Sequence, residues 1–200
     1  GFSCPVHRRL SPWSRPYSKG MTRRRDARRN RERIVLAAKR VFAHQGVEAP
    51  LELVYSEAGV GRATFYRNFS GREELIHGIY EQQLDHLETL ASEEASGSLR
   101  RVIEGYAVQV TQSPNLISIF VEEPEQLGTL GPLRTRYLEF VSELLEQSIS
   151  RGEVPPSTSV EDLHVLLAMI QGAILLLETP GAWSRTRLAL RVVDSYFEWS

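Results

Sequence analysis

Residues 51–75 read Leu51-Glu52-Leu53-Val54-Tyr55-Ser56-Glu57-Ala58-Gly59-Val60-Gly61-Arg62-Ala63-Thr64-Phe65-Tyr66-Arg67-Asn68-Phe69-Ser70-Gly71-Arg72-Glu73-Glu74-Leu75. Pro50 opens a helix just ahead of them, as proline does at a first helical position. Leu51 and Val54 are its inward residues, and Ala58-Gly59-Val60-Gly61 breaks it. A very short helix follows from about Arg62 to Phe69. Ser70 caps the next one, with Glu73 three residues later completing a capping box. Short helices joined by a glycine turn have the shape of a helix-turn-helix. Each residue turns about 100° around a helix, so Phe65 and Phe69 share the inner face. Ala63, Thr64 and Arg67 then point outward, with Tyr66 and Asn68 on the flanks. Such a helix suits a DNA groove, its outward residues meeting base edges and its flanking ones phosphates.

Upstream, Ile34, Ala38 and Val41 recur at helical spacing from Asn30 onward, with Ala37 and Phe42 beside them and Gly46 as a stop. Before that helix, residues 23–33 hold Arg23, Arg24, Arg25, Arg28, Arg29, Arg31 and Arg33, offset only by Asp26 and Glu32. An arginine-rich arm beside a helix-turn-helix can lie along phosphates or enter a minor groove. Residues 1–22 carry Pro5, Pro12 and Pro16 with no apolar period and read as irregular. The net charge of −1 hides an asymmetry: 16 Lys and Arg against 7 Asp and Glu in residues 1–80, but 8 against 18 in residues 81–200. That is the pattern of a polyanion-binding module joined to a part that does not bind polyanions.

Downstream the pattern stays helical. A long helix from Gly71 carries Leu75, Ile76, Ile79, Leu84, Leu87 and Leu90, and Ser96-Gly97-Ser98 ends it. Further helices are expected over Leu99 to Thr111, Pro114 to about Glu122, Pro132 to Ser150, Val160 to Glu178 and Thr186 to Trp199. No segment alternates with a period of two, so the fold class is all-α. Val165 to Leu177 is apolar nearly all round and needs cover on more than one side. His164, Gln171 and Glu178 recur every seven residues as a polar stripe. Leu163, Leu167, Ile170, Gln171, Gly172 and Ile174, with Leu188, Val192 and Tyr196 of the last helix, are the expected seam of a homodimer. Tyr106, Gln109, Phe120, Tyr137, Phe140 and Met169 are the candidate lining of a ligand cavity between helices.

Residues 30–80 resemble the DNA-binding module of TetR-type transcriptional regulators. The resemblance is carried by Ala58-Gly59-Val60, Thr64-Phe65-Tyr66, Phe69, Arg72-Glu73 and Leu75, with Ile34, Ala37-Ala38, Phe42 and Gly46 matching the first helix. It implies a two-domain, all-helical homodimer whose C-terminal domain binds a small-molecule effector. The expected division is an irregular extension over 1–22, a helix-turn-helix domain with its basic arm over 23–70, and a helical-bundle effector and dimerisation domain over 71–200. The expected DNA-binding residues are Arg23, Arg24, Arg25, Arg28, Arg29, Arg62, Ala63, Thr64, Tyr66, Arg67, Asn68 and Arg72. Four departures stand out. Tyr55 occupies a position usually held by alanine, Ala49-Pro50 replaces a hydroxyl cap, Arg72 replaces a lysine while keeping the cation for a phosphate, and Asn68 replaces a common histidine while keeping a donor.

The function expected is a ligand-responsive repressor binding a palindromic operator as a homodimer. Its partners are double-stranded DNA, a second copy of the chain and a small effector. The alternative is a helical interaction module of the same fold that has lost specific DNA binding. No enzyme, cofactor or metal is expected. The single cysteine, Cys4, forms no zinc set, and His7, His44, His77, His86 and His164 have no ligand spacing. No phosphate-cradling loop or nucleophile elbow is present in the sequence. The longest apolar run is too short for a bilayer, so no membrane partner is expected. One cysteine suggests a reduced, cytoplasmic setting.

Overall fold

The computed structural model describes residues 18–93, 96–112 and 130–176, together with 187, 190, 191, 194 and 195. Among these residues it holds seven helices: α1 (Ser18–Gln45), α2 (Leu51–Glu57), α3 (Arg62–Asn68), α4 (Arg72–Glu93), α5 (Ser98–Gln112), α6 (Gly131–Ser150) and α7 (Val160–Leu176). No strand occurs among the described residues. The segments expected as helices at 114–122 and 186–199 lie outside them, apart from five helical residues between 187 and 195.

The helix boundaries follow from local chemistry. α1 begins at Ser18, well before Asn30, so residues 18–22 are helical where an irregular extension was expected. Nothing in Ser18 to Asn30 breaks a helix except Gly20, and arginine is a good helix former. The helix stops at Gly46, whose φ of +81° is a conformation that glycine adopts without a Cβ clash. α2 ends in a Schellman turn: Gly59 has φ +62°, and the Val60 N–H donates to the Tyr55 carbonyl at 3.0 Å. α4 starts at Arg72 rather than at Gly71, which moves the reciprocal acid one place along. Glu74, not Glu73, accepts the Ser70 N–H at 2.7 Å. α7 opens on a box that was not anticipated: Asp162 accepts from the Ser159 N–H and hydroxyl, both at 2.8 Å, and the Ser159 hydroxyl accepts the Asp162 N–H at 3.1 Å. Those bonds hold the Asp162 carboxyl below its ordinary range.

Two apolar cores result. The N-terminal core joins Ile34, Val35, Ala38 and Phe42 of α1 to Val54, Phe65 and Phe69 and to Leu75 and Ile79 of α4. The other joins Tyr80, Leu84 and Leu87 of α4 to Leu99, Ile103 and Tyr106 of α5, Tyr137 and Val141 of α6, and Leu163 and Ile170 of α7. The first core therefore runs through Ile79, beyond the boundary expected at residue 70. α4 belongs to both: its buried residues change from one to the other between Ile79 and Tyr80, and Ile76 packs against both. A helix is stiff over this length, so the two cores share one lever.

Candidate nucleic-acid interface

α3 is seven residues long and is oriented by what it buries. Phe65 and Phe69 are fully buried, and the Phe65 ring meets Tyr55 at 6.0 Å, Tyr66 at 5.2 Å and Phe69 at 6.1 Å. Tyr55 accommodates its unusual position by lying half-buried at a tilt against Phe65. With that side anchored, Arg62, Ala63 and Arg67 are exposed, Tyr66 is 44% exposed and Thr64 is half-buried. The Arg67 guanidinium donates to the Thr64 hydroxyl at 2.9 Å, and the Arg62 guanidinium lies 5.6 Å from the Tyr66 ring centroid. The outward set is thus a compact patch of two cations, a phenol and a hydroxyl. Such a patch can donate to base edges and phosphates alike.

Two residues expected at DNA are used inside the fold. Asn68 is half-buried, and its amide donates to the Thr64 carbonyl at 2.8 Å, finishing the helix instead of projecting from it. Arg72 is bound into the turn before α2. Its guanidinium donates to the carbonyls of Val47, Glu48 and Ala49, the latter two at 3.3 and 2.8 Å. Proline at position 50 brings no N–H to that turn, so its carbonyls need an outside donor.

The arginine stretch also divides. Arg25 and Arg29 are exposed, and Arg28 pairs with Glu32 at 2.9 Å. Arg23 and Arg24 lie within α1, and their side chains are outside the described set. Arg31 and Arg33 each bind a backbone carbonyl elsewhere in the fold. Arg33 donates to the Ala58 carbonyl at the end of α2, at 2.6 Å. Arg31 donates to the Asn68 carbonyl at the end of α3, at 3.0 Å, and stacks 4.3 Å from the Phe69 ring centroid. It also lies 3.8 Å from Glu74 and 3.7 Å from Glu81. The Ser70 hydrogen bonds, with the Arg31 and His77 charges, hold the Glu74 carboxyl below its usual range. Sequence reading missed these carbonyl caps, because an arginine's partner on another helix leaves no spacing signal.

In the C-terminal core, Tyr106, Tyr137 and Phe140 come together around an apolar cavity of about 20 Å³, with Leu87, Leu99 and Leu163. Gln109 stands aside and donates to the Gln83 carbonyl at 3.2 Å. Met169 is 57% exposed and does not line the cavity, and Phe120 lies outside the described residues. The expected seam is corrected as well. Leu163, Leu167, Ile170 and Ile174 are buried in the chain's own core and cannot meet a partner. Gln171 is half-buried, accepting from the Tyr106 hydroxyl at 3.3 Å. His164 stacks on Tyr137, centroids 5.7 Å apart, with its Nε2 buried and lacking a hydrogen-bond partner among the described residues. The polar stripe of α7 thus turns inward, and Val165 and Met169, 60% and 57% exposed, turn outward. Gly172 lies in open space, and a Cβ added there would meet nothing within 4 Å. Leu188, Val192, Tyr196 and Glu178 lie outside the described residues. Among the described residues no helix is long and apolar enough to cross a membrane, and no group of three His, Cys, Asp or Glu could hold a metal.

The signature of the bacterial regulatory proteins of the tetR family matches residues 34–79, which spans most of the N-terminal core and includes α3. The HTH-type transcriptional regulator SrpR of Pseudomonas putida is 27% identical over 177 residues, covering 82% of this chain and 80% of that protein. The crystal structure of a TetR transcriptional regulator from Streptomyces coelicolor superposes with a TM-score of 0.62 at 26% identity, covering 84% of this chain and 96% of the other. A gamma-butyrolactone receptor shares the fold with a TM-score of 0.51 at 20% identity, over 88% of this chain and 100% of its own.

Proposed function

We propose that this chain, a transcriptional regulator belonging to the TetR family of bacterial regulatory proteins, is an effector-released repressor that reads a palindromic duplex as a homodimer. The observation that carries the reading is the outward patch of Arg62, Thr64, Tyr66 and Arg67 on a helix whose opposite side is anchored by Phe65 and Phe69. One seven-residue helix contacts too few base pairs for useful specificity. Two copies related by a two-fold axis present two, spaced by one helical turn, ~34–36 Å, or a multiple. Val165, Met169 and Gly172 on the outer side of α7 offer the apolar surface for that pairing. The DNA-reading unit is assigned to residues 23–70 and the effector and dimerisation unit to 71–200, with α4 shared.

The cavity wall supports one class of effector. Among the described residues, Leu, Val, Ile, Phe and Tyr side chains line it and no charged group does. A neutral, mainly apolar molecule fits, with one polar atom for the Tyr106–Gln171 pair. Its volume is close to that of a single water. A ligand must therefore push α5, α6 and α7 away from α4. Leu84 and Leu87 sit in that core while Leu75 and Ile79 sit under α3, so the displacement reaches the reading helix. The role is regulatory rather than enzymatic, and the setting is the cytoplasm, where DNA is.

Selection of bound duplexes from a random pool tests this. A two-fold symmetric consensus is the expected result, and failure to enrich any sequence overturns the proposal.

A further inference from the structure

We propose that Arg72 and Arg31 are positioning residues that lock the reading helix to α4, and that Arg72 serves operator binding through this lock and not through a DNA phosphate. The inference rests on the reading that α3 enters a DNA groove.

Arg72 is the first residue of α4, and the carbonyls of Val47, Glu48 and Ala49 form the turn that launches α2. One planar guanidinium spans all three, while its carbon lies 5.8 Å from the Phe42 ring centroid and its Nε lies 3.9 Å from the Glu48 carboxylate. A forked cation with five donors can do this, whereas an ammonium, a point charge with three donors, cannot bridge the same carbonyls in one plane. The side chain is only 27% exposed, so reaching a phosphate means surrendering the turn. At the other end of the motif, Arg31 of α1 holds the last carbonyl of α3 and lies between Glu74 and Glu81 of α4.

The consequence is geometric. The entrance of the α2–α3 pair is tied to α4 at residue 72, and its exit is tied to α4 at residues 74 and 81. A motif held at both ends turns with α4 as one body. The angle at which Arg67 meets the groove is then set by α4 and not by a flexible turn.

The test compares the full-length wild type with R72K, R72M and R31K. Each is titrated with a duplex enriched by the wild type and with a random duplex of the same length, across a salt series. Circular dichroism sets a temperature at which every protein is folded. The lock requires R72K, R72M and R31K each to lose about tenfold or more on the enriched duplex. Random-duplex affinity and its salt slope stay at wild-type values. If R72K instead binds like the wild type while R72M lowers the salt slope on both duplexes by about one per subunit, Arg72 is a phosphate contact and the inference is overturned. Equal losses on both duplexes that cooling restores would reduce the arginines to stability alone and also overturn it. Should the Arg72 variants not fold, R31K decides the matter by the same readouts, since Arg31 is held by the Asn68 carbonyl, Glu74 and Glu81. A wild type that enriches no duplex sinks the reading of α3 itself, which separates that failure from failure of the lock.

Discussion

At the scale of single residues, the proposed reading face gives Arg67 and Tyr66 different tasks. Arg67 projects from the middle of the outward patch and meets the Thr64 hydroxyl of its own helix, which is readily exchanged for a base edge. Arg67→Ala is expected to lower operator affinity by ~1–3 kcal/mol while leaving random-duplex binding nearly intact. Competition titrations measure the ratio, and an equal fall on both duplexes would assign Arg67 to the phosphates. Tyr66→Phe should weaken binding to every duplex without changing the consensus, since Tyr66 flanks the outward residues of a helix and a flanking hydroxyl suits a phosphate; a changed consensus after selection refutes that. His164 gives a pH signature. Burial lowers its pKa below the ordinary 6.5, Arg134 adds to the effect and Glu161 opposes it. Its folded form therefore prefers to be neutral, and stability is full above the ordinary value and declines as pH falls through it toward the depressed one. His164→Phe should flatten that acid-side decline relative to the wild type. Urea midpoints at several pH values between about 5 and 8 show it, and parallel profiles for the two proteins would rule it out. The outward direction of Ala63, Thr64 and Arg67 was legible from 100° steps and two phenylalanines. The inward turn of Asn68 and Arg72 was not, because it depends on carbonyls that only the folded chain brings within reach.

At the scale of elements, α4 is the part on which both cores depend, and its glycine marks where it crosses the reading motif. A Cβ on Gly78 would stand 2.9 Å from Phe69 Cε1 and 3.3 Å from an Arg31 nitrogen. Phe69 is fully buried and cannot give way cheaply. Gly78→Ala gains helix propensity of about 1 kcal/mol, but crowding a packed core costs about 1–3 kcal/mol. The balance predicts a lowered melting temperature and a weakened preference for operator, since Phe69 terminates α3. Gly71→Ala, where a Cβ meets nothing within 4 Å, is the control and should leave both properties unchanged. Thermal unfolding decides it: a Gly78→Ala protein as stable as the control would mean that the crossing has slack. The periodicity of Leu75 to Leu90 announced a long helix but could not say that its apolar face serves two cores. The same is true of α1, whose length was underestimated because arginines carry no hydrophobic period while still forming helix.

At the scale of the whole molecule, pairing of two chains decides whether two reading helices can be held at groove spacing. The sequence showed that α7 has more apolar surface than one core can use. It could not show which side is left over, because a segment apolar all round has no phase to read. The fold supplies the phase. Leu163, Leu167, Ile170 and Ile174 are consumed by the core, and Val165 and Met169 remain outside with Gly172 between them and the end of the helix. Met169→Glu therefore removes few internal contacts and places a charge on the proposed seam, once in each subunit and close to its symmetry mate. Burying unpaired like charges costs several kcal/mol or parts the surfaces. The expected product is a folded monomer with unchanged helical content that keeps weak, salt-sensitive binding to random duplex and loses tight operator binding. Ile170→Glu, at a fully buried position one residue away, should instead unfold the C-terminal core. Sedimentation, circular dichroism and a DNA titration separate these outcomes. A Met169→Glu protein that remains dimeric and binds operator normally would place the seam elsewhere. The outer side of α7 would then be solvent-facing surface, and the spacing of the reading helices would have to be set by another part of the chain.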